Sequence, residues 1–174
     1  DYALIGVSGD DSNRGSSYIY KYNGSTWNQQ AKLLASDGAS SDYFGNSVSL
    51  FKDYALIGAH VDDSYTGSAY IFKRNGSIWN QQAKLLASDG ATNDYFGSGV
   101  SIYGDYALIG ARWDEDKDGS AYIFKRNGST WEQQAKLNAS DAVVNDEFGY
   151  SVSLYKDYAL IGAYKDDSNK GSAY

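Results

Sequence analysis

The sequence has 174 residues, 42% of them hydrophobic and 16% aromatic, with a formal net charge of −7. It contains no cysteine, which excludes disulfides and thiolate metal sites, and its acidic balance argues against nucleic acid and anionic membrane as partners, because phosphate binding needs clustered Lys and Arg. No window reaches the roughly 18 apolar residues of a membrane-spanning helix, and any targeting signal is expected to lie outside this sequence.

In chain order, Asp1 to Gly6 (Asp-Tyr-Ala-Leu-Ile-Gly) is a short apolar run closed by glycine, and the same six residues return at Asp53, Asp105 and Asp157, at a fixed step of 52 residues. Three other landmarks keep that step. Gly-Ser-Ser-Tyr at Gly15 becomes Gly-Ser-Ala-Tyr at Gly67, Gly119 and Gly171; Trp27 recurs as Trp79 and Trp131; Phe44-Gly45 recurs at Phe96 and Phe148. Within the second unit, residues 45–51 alternate small polar with apolar side chains, residues 53–59 form the apolar run, residues 68–73 alternate again, and residues 79–87 supply a fourth extended segment. These are strands A, B, C and D. Asn-Gly at Asn23, Asn75 and Asn127 marks the C–D hairpin, since both residues tolerate positive φ. The A–B turns are tight, around Lys52, Gly104 and Lys156. No apolar stripe of period 3.6 occurs, so essentially no helix is expected.

A four-stranded antiparallel unit at this period predicts an all-β fold of β-propeller blades. The array divides into strands B–D of a first blade (1–41), full blades over 42–93 and 94–145, and strands A–C of a last blade (146–174), about three and a third blades in all. Apolar residues of both parities imply that both faces of each sheet are covered by neighbours, and the small residues of strand A imply crowding at the axis. Trp27, Trp79 and Trp131 are expected to pack between blades. Because propellers close with about four to eight blades, the array is expected to be completed by further blades or by association of copies.

Phe44-Gly45 with Ser47-Val48, then Leu56-Ile57-Gly58-Ala59, then Gly67-Ser68-Ala69-Tyr70-Ile71-Phe72 resembles the FG-GAP repeat, the blade of the integrin α-subunit head and of many bacterial surface and secreted proteins. The resemblance implies a propeller and an extracellular or cell-surface location. His60, Arg112 and Tyr164 stand where the family has the proline of Gly-Ala-Pro. The family's calcium loop, Asp-x-Asp-x-Asp-Gly-x-x-Asp between strands A and B, is replaced by Phe51-Lys52, Tyr103-Gly104 and Tyr155-Lys156, so that site does not carry over.

An up-and-down sheet places the B–C and D–A loops on one side. That side receives Asp10-Asp11, Asp62-Asp63, Asp114 to Asp118 and Asp166-Asp167 from B–C, with Asp37, Asp42, Asp89, Asp94, Asp141, Asp146 and Glu147 from D–A, and an acidic face is expected there. The units differ most just after strand B, at His60, Arg112, Trp113 and Tyr164, while the strands repeat almost verbatim; these four are the candidate ligand-face residues. Simple drift on a solvated surface would produce the same variation. Asp42, Asp94 and Asp146 are read as braces of the D–A loop.

No cofactor is expected. The nearest approach to a cation site is Asp114-x-Asp116-x-Asp118-Gly119, whose alternating carboxylates could wrap calcium, although Lys125 and Tyr122 stand where an EF-hand or the family loop needs its last acid. Catalysis is not expected: the one histidine, His60, sits at a variable position, and the repeated carboxylate pairs mark no asymmetric pocket. The expected function is an extracellular binding or adhesion module that recognises a protein or glycan on its acidic loop face. The alternatives are a structural repeat unit of a surface assembly, with neighbouring repeats or further copies as partners, and a calcium-dependent lectin using Trp113.

Overall fold

The computed structural model describes the chain from Asp1 to Tyr174 apart from the side chain of Asp116. It contains four antiparallel sheets in succession. The first holds β1 (Tyr2–Val7), β2 (Ser16–Tyr22) and β3 (Trp27–Leu33); the second β4 (Val48–Phe51), β5 (Tyr54–Ala59), β6 (Ser68–Asn75) and β7 (Ile78–Leu85). The third repeats this as β8 (Phe96–Tyr103), β9 (Tyr106–Ala111), β10 (Ser120–Asn127) and β11 (Thr130–Leu137), and the fourth holds β12 (Phe148–Tyr155), β13 (Tyr158–Ala163) and β14 (Ser172–Ala173). Every strand pairs with its sequence neighbour, so each 52-residue period forms its own sheet, as blades of a propeller do. Strand A begins at Phe96 and Phe148 in the later sheets but only at Val48 in the second, and strand D ends at Leu85, two residues short of the expected boundary.

The expectation of essentially no helix needs correction. Each B–C connection carries one four-residue turn: α1 (Asp10–Asn13), α2 (Asp62–Tyr65), α3 (Asp114–Lys117) and α4 (Asp166–Asn169). Left-handed residues occur in all four, as Asp63, Ser64 and Tyr65 show with φ of 49°, 60° and 68°, and Glu115 and Lys117 with 52° and 75°. A left-handed residue costs roughly 1–2 kcal/mol, least for the short polar side chains that dominate here. Backbone bonds compensate: Gly67 N–H donates to Asp62 O (2.9 Å), and Tyr95 and Phe96 N–H donate to Tyr65 O and Thr66 O (2.9 and 3.0 Å). The turn therefore ties its own sheet to the loop that enters the next.

The hydrophobic core lies between sheets. Ile57 packs with Ile19 and Leu33 of the first sheet, whereas its neighbour Leu56 packs with Phe96, Val100 and Ile109 of the third. Leu108 in turn meets Phe148 and Ile161. Consecutive residues of an extended strand point to opposite faces, so Leu-Ile in strand B supplies one side chain to each neighbour. At the axial edge, Val100, Ile102 and Leu154 N–H donate to the hydroxyls of Ser47, Ser49 and Ser101 in the preceding sheet (3.0, 3.1 and 2.9 Å). That accounts for the serines of strand A. Trp79 is 7% exposed and donates Nε1–H to Gln30 of the first sheet at 3.2 Å; Trp131 repeats this with Gln82, while Trp27 on the outer face of the first sheet is 50% exposed.

Candidate functional site

The B–C and D–A loops meet between successive sheets, and two arrangements result. The first is an ionic cluster. Lys84 on β7 contacts Asp62 at 2.8 Å and, from the preceding D–A loop, Asp37 at 2.7 Å; the Tyr70 hydroxyl donates to both carboxylates, at 2.9 and 3.0 Å. Lys136, Asp114, Asp89 and Tyr122 repeat the cluster one sheet on. Burial pushes the Asp37 and Asp89 carboxyls up, but the bonds from lysine and tyrosine outweigh it and hold both below the ordinary 3.8. The strand-D lysines Lys32, Lys84 and Lys136 thus rise beside the expected acidic face and pair with some of its carboxylates. The signal for this pairing was available in the shared 52-residue spacing of Lys32, Lys84 and Lys136 with Tyr18, Tyr70 and Tyr122.

The calcium reading is affected as well. Asp114 is buried with its Oδ2 already engaged by Lys136 (2.8 Å) and Tyr122 (2.6 Å), an ammonium standing where a cation would bind. The Asp116 side chain lies outside the described residues, and Asp118 is engaged locally. Among the described residues no three acidic or imidazole side chains converge as a metal set would require. The A–B hairpins leave no room for the family's loop, since Phe51 pairs directly with Tyr54 and Tyr103 with Tyr106. Asp42, Asp94 and Asp146 accept the backbone N–H of Ala39, Ala91 and Val143 at 2.5, 2.5 and 2.7 Å, bracing the D–A loop.

The second arrangement is a row of rings and cations across three sheets. His60 lies between Tyr43 and Tyr95, with ring centroids 5.9 and 5.8 Å away. Tyr95 also packs edge-on against Trp113 at 4.6 Å. Arg112 stands over Tyr95, Trp113 and Tyr150 at 5.0, 5.8 and 5.5 Å, and Tyr150 meets Tyr164 at 4.4 Å. The four residues singled out by their variability are thus brought into one row. The tyrosines that knit them together were not anticipated. They occupy two further positions where the units differ, Tyr43/Tyr95/Glu147 and Asn46/Ser98/Tyr150, on either side of Phe-Gly.

Tyr43 and Tyr95 hold φ near +57° and +58°, unusual for a bulky residue and characteristic of positions whose surroundings over-determine them. Their N–H groups are fixed by Asn13 O and Tyr65 O at 2.8 and 2.9 Å. Three ring or guanidinium nitrogens in the row, His60 Nδ1, Arg112 Nε and Trp113 Nε1, are buried without a hydrogen-bond partner. Such groups cost about 1–3 kcal/mol each when left unmade. Burial, and then the charge of Arg112, push the His60 imidazolium down to about 4.

That shift sets a pH dependence. The unfolded chain takes up the His60 proton near 6.5 and the folded one only near 4, so the unfolded state binds more protons in between. Stability is expected to be flat above pH 7 and to fall as pH drops from 6.5 toward 4. Urea unfolding of His60→Gln should lose that slope while keeping the carboxylate-driven loss below pH 3.8.

The FG-GAP repeat matches residues 27–72, 79–124 and 131–174, and the chain belongs to the FG-GAP repeat family. Each match runs from strand D of one sheet through strands A to C of the next, and so spans the contact just described. Repeats of this family occur in extracellular, adhesive propeller domains. No curated protein matches the chain.

Proposed function

We propose that the chain is a non-enzymatic, extracellular recognition module, whose ligand, a protein or glycan, binds on the B–C and D–A loop side. The observation that carries this reading is the row His60, Arg112, Trp113 and Tyr164. It places three unpartnered buried nitrogens and several half-exposed rings where otherwise near-identical repeats differ. Aromatic faces with a polar edge serve protein and sugar recognition equally, and a rigid sheet array pre-organises them at little entropic cost. The ligand is drawn by this ring-and-cation row rather than by free carboxylates.

A second reading, a structural repeat unit that stacks through its blade faces, is favoured by the outer sheets. Ile5 and Trp27 on one side, Tyr158 and Leu160 on the other, are 50% to 76% exposed, while the counterparts of Ile5 (Ile57, Ile109), of Leu160 (Leu56, Leu108) and of Trp27 (Trp79, Trp131) are buried between sheets. A further sheet of the same kind would cover them.

One experiment separates the two. Wild-type protein, Trp113→Ala and His60→Ala are applied to an array of glycans and extracellular matrix proteins, with light scattering run in parallel. Recognition predicts spots weakened at least tenfold by Trp113→Ala, in line with about 2 kcal/mol for a hot-spot aromatic. The reading fails if no spot responds to either variant. Stacking predicts concentration-dependent assembly that both variants leave unchanged.

A further inference from the structure

Several of the cations that face these loops are answered by acids. Lys32, Lys84, Lys136 and Lys165 each pair with a carboxylate, as do Arg74 and Arg126 at the opposite hairpins. Arg112 forms none of these pairs. Its contacts are the rings of Tyr95, Trp113 and Tyr150, and its Nε–H is buried without an acceptor. In a chain with 22 acidic residues, a half-buried guanidinium surrounded by rings instead of carboxylates is a cation held ready for an anion from outside. Ring contacts cover the faces of a guanidinium and leave its in-plane N–H donors free, the geometry that takes a carboxylate bidentately.

Arg112 also lines a cavity of about 370 Å³ at the axial edge, with Asn46, Ser47, Ser98, Tyr150 and Ser151, a size suited to a small ligand. Hydroxyls and an amide dominate the lining, with Gly99, Val100 and Val152 completing it. Ser47 Oγ accepts Val100 N–H at 3.0 Å, and Asn46 donates only a long bond to Ser98 O at 3.4 Å. His60 remains uncharged at neutral pH and Lys117 stands over Trp113, 4.7 Å from its ring centroid, so Arg112 is the cation that lines the cavity itself. One cation, a ring of hydroxyls and amides, and stacking aromatics fit a ligand with one carboxylate among many hydroxyls. A polyacidic peptide would meet the chain's own net charge of −7 with a single cation lining the cavity to offset it.

Resting on the reading of this row as the ligand face, we propose that the axial cavity is a subsite for an acidic sugar, a uronic or sialic acid residue whose carboxylate is bound by Arg112 while its ring stacks on Tyr150. The test is calorimetric titration of the 174-residue chain with 3′-sialyllactose and a glucuronate disaccharide, each also as its methyl ester, and with triglutamate. At least one acidic sugar should bind, and its methyl ester at least about tenfold more weakly, the factor expected for one charge-assisted pair. Arg112→Gln and R112K should each weaken it by a similar factor, the latter because lysine keeps the charge but not the planar fork. The inference is overturned if acid and ester bind alike, if R112K binds as wild type does, if triglutamate binds as tightly, or if no acidic sugar binds. In that last case a Trp113-dependent spot on the array would leave the broader recognition reading standing. Should Arg112→Gln lower the melting temperature, the R112K and ester comparisons carry the test on folded protein.

Discussion

Gly110→Ala is expected to pull the third and fourth sheets apart. A methyl carbon built on Gly110 stands 1.8 Å from Gly149 O and 2.7 Å from its carbonyl carbon. Both obstacles are main chain, so no side chain can turn aside and the sheets themselves must separate. Overpacking a core costs typically about 1–3 kcal/mol, and a main-chain collision belongs at or above the upper end. With each kcal/mol worth roughly 2–4 °C in a domain of this size, the melting temperature should fall by about 6–12 °C. Gly9→Ala provides the control, because the nearest atom lies 3.9 Å from its added carbon and its φ of −85° suits any residue. Each sheet presses mainly on its sequence neighbours, so hydrogen exchange in Gly110→Ala should quicken mainly in β8 to β13. Unchanged melting would mean that the Gly110–Gly149 approach is absent.

Lys84→Met should have the next largest effect. Lys84 is 23% exposed at its side chain and Asp62 8%, so removing the ammonium leaves two carboxylates, Asp62 and Asp37, facing each other with one of them buried. Breaking a fully buried pair in this way costs about 3–5 kcal/mol, and the partial exposure here reduces that to roughly 2–3 kcal/mol. Adding Asp62→Asn should restore much of the loss, because Tyr70 can still donate to an amide oxygen and the repulsion disappears. The pH profile follows the same logic. Asp37 is held below 3.8 in the folded chain, so its contribution is full above 3.8 and fades as pH falls below it. In Lys84→Met the Asp37 resonance should titrate at or above 3.8 by carboxyl NMR. An unchanged midpoint would show that lysine is not the stabilising partner.

The two variants probe the same feature from its apolar and its polar side, the join between successive sheets, and that join explains the recurrent motif. Phe44, Phe96 and Phe148 are buried between sheets, and the glycine that follows each one faces the strand-B glycine of the preceding sheet at Gly6, Gly58 and Gly110. A side chain at either glycine would hold the blades apart.

Strand identity, the one-sheet-per-period topology and the inter-sheet role of Trp79 and Trp131 were legible in the sequence. Local chemistry fixes these: alternation, Asn-Gly turns and a strict 52-residue step depend only on residues near one another. The left-handed turns at Asp62–Tyr65 and its equivalents were not legible, because Asp-Asp-Ser reads equally as an open loop and only the backbone bonds from the next loop hold it at positive φ. The sequence also placed His60, Arg112 and Tyr164 at one equivalent position, with Trp113 next to it, without saying whether they touch. Contact between them required Tyr95 and Tyr150, which come from the neighbouring loops and reach the row only when the sheets are stacked. The ion pairing within the acidic face was missed for the same reason. Counting acids on a loop face cannot reveal that Lys84, two strands away in the chain, rises beside Asp62 to neutralise it, since the pairing exists only once β7 lies alongside β6.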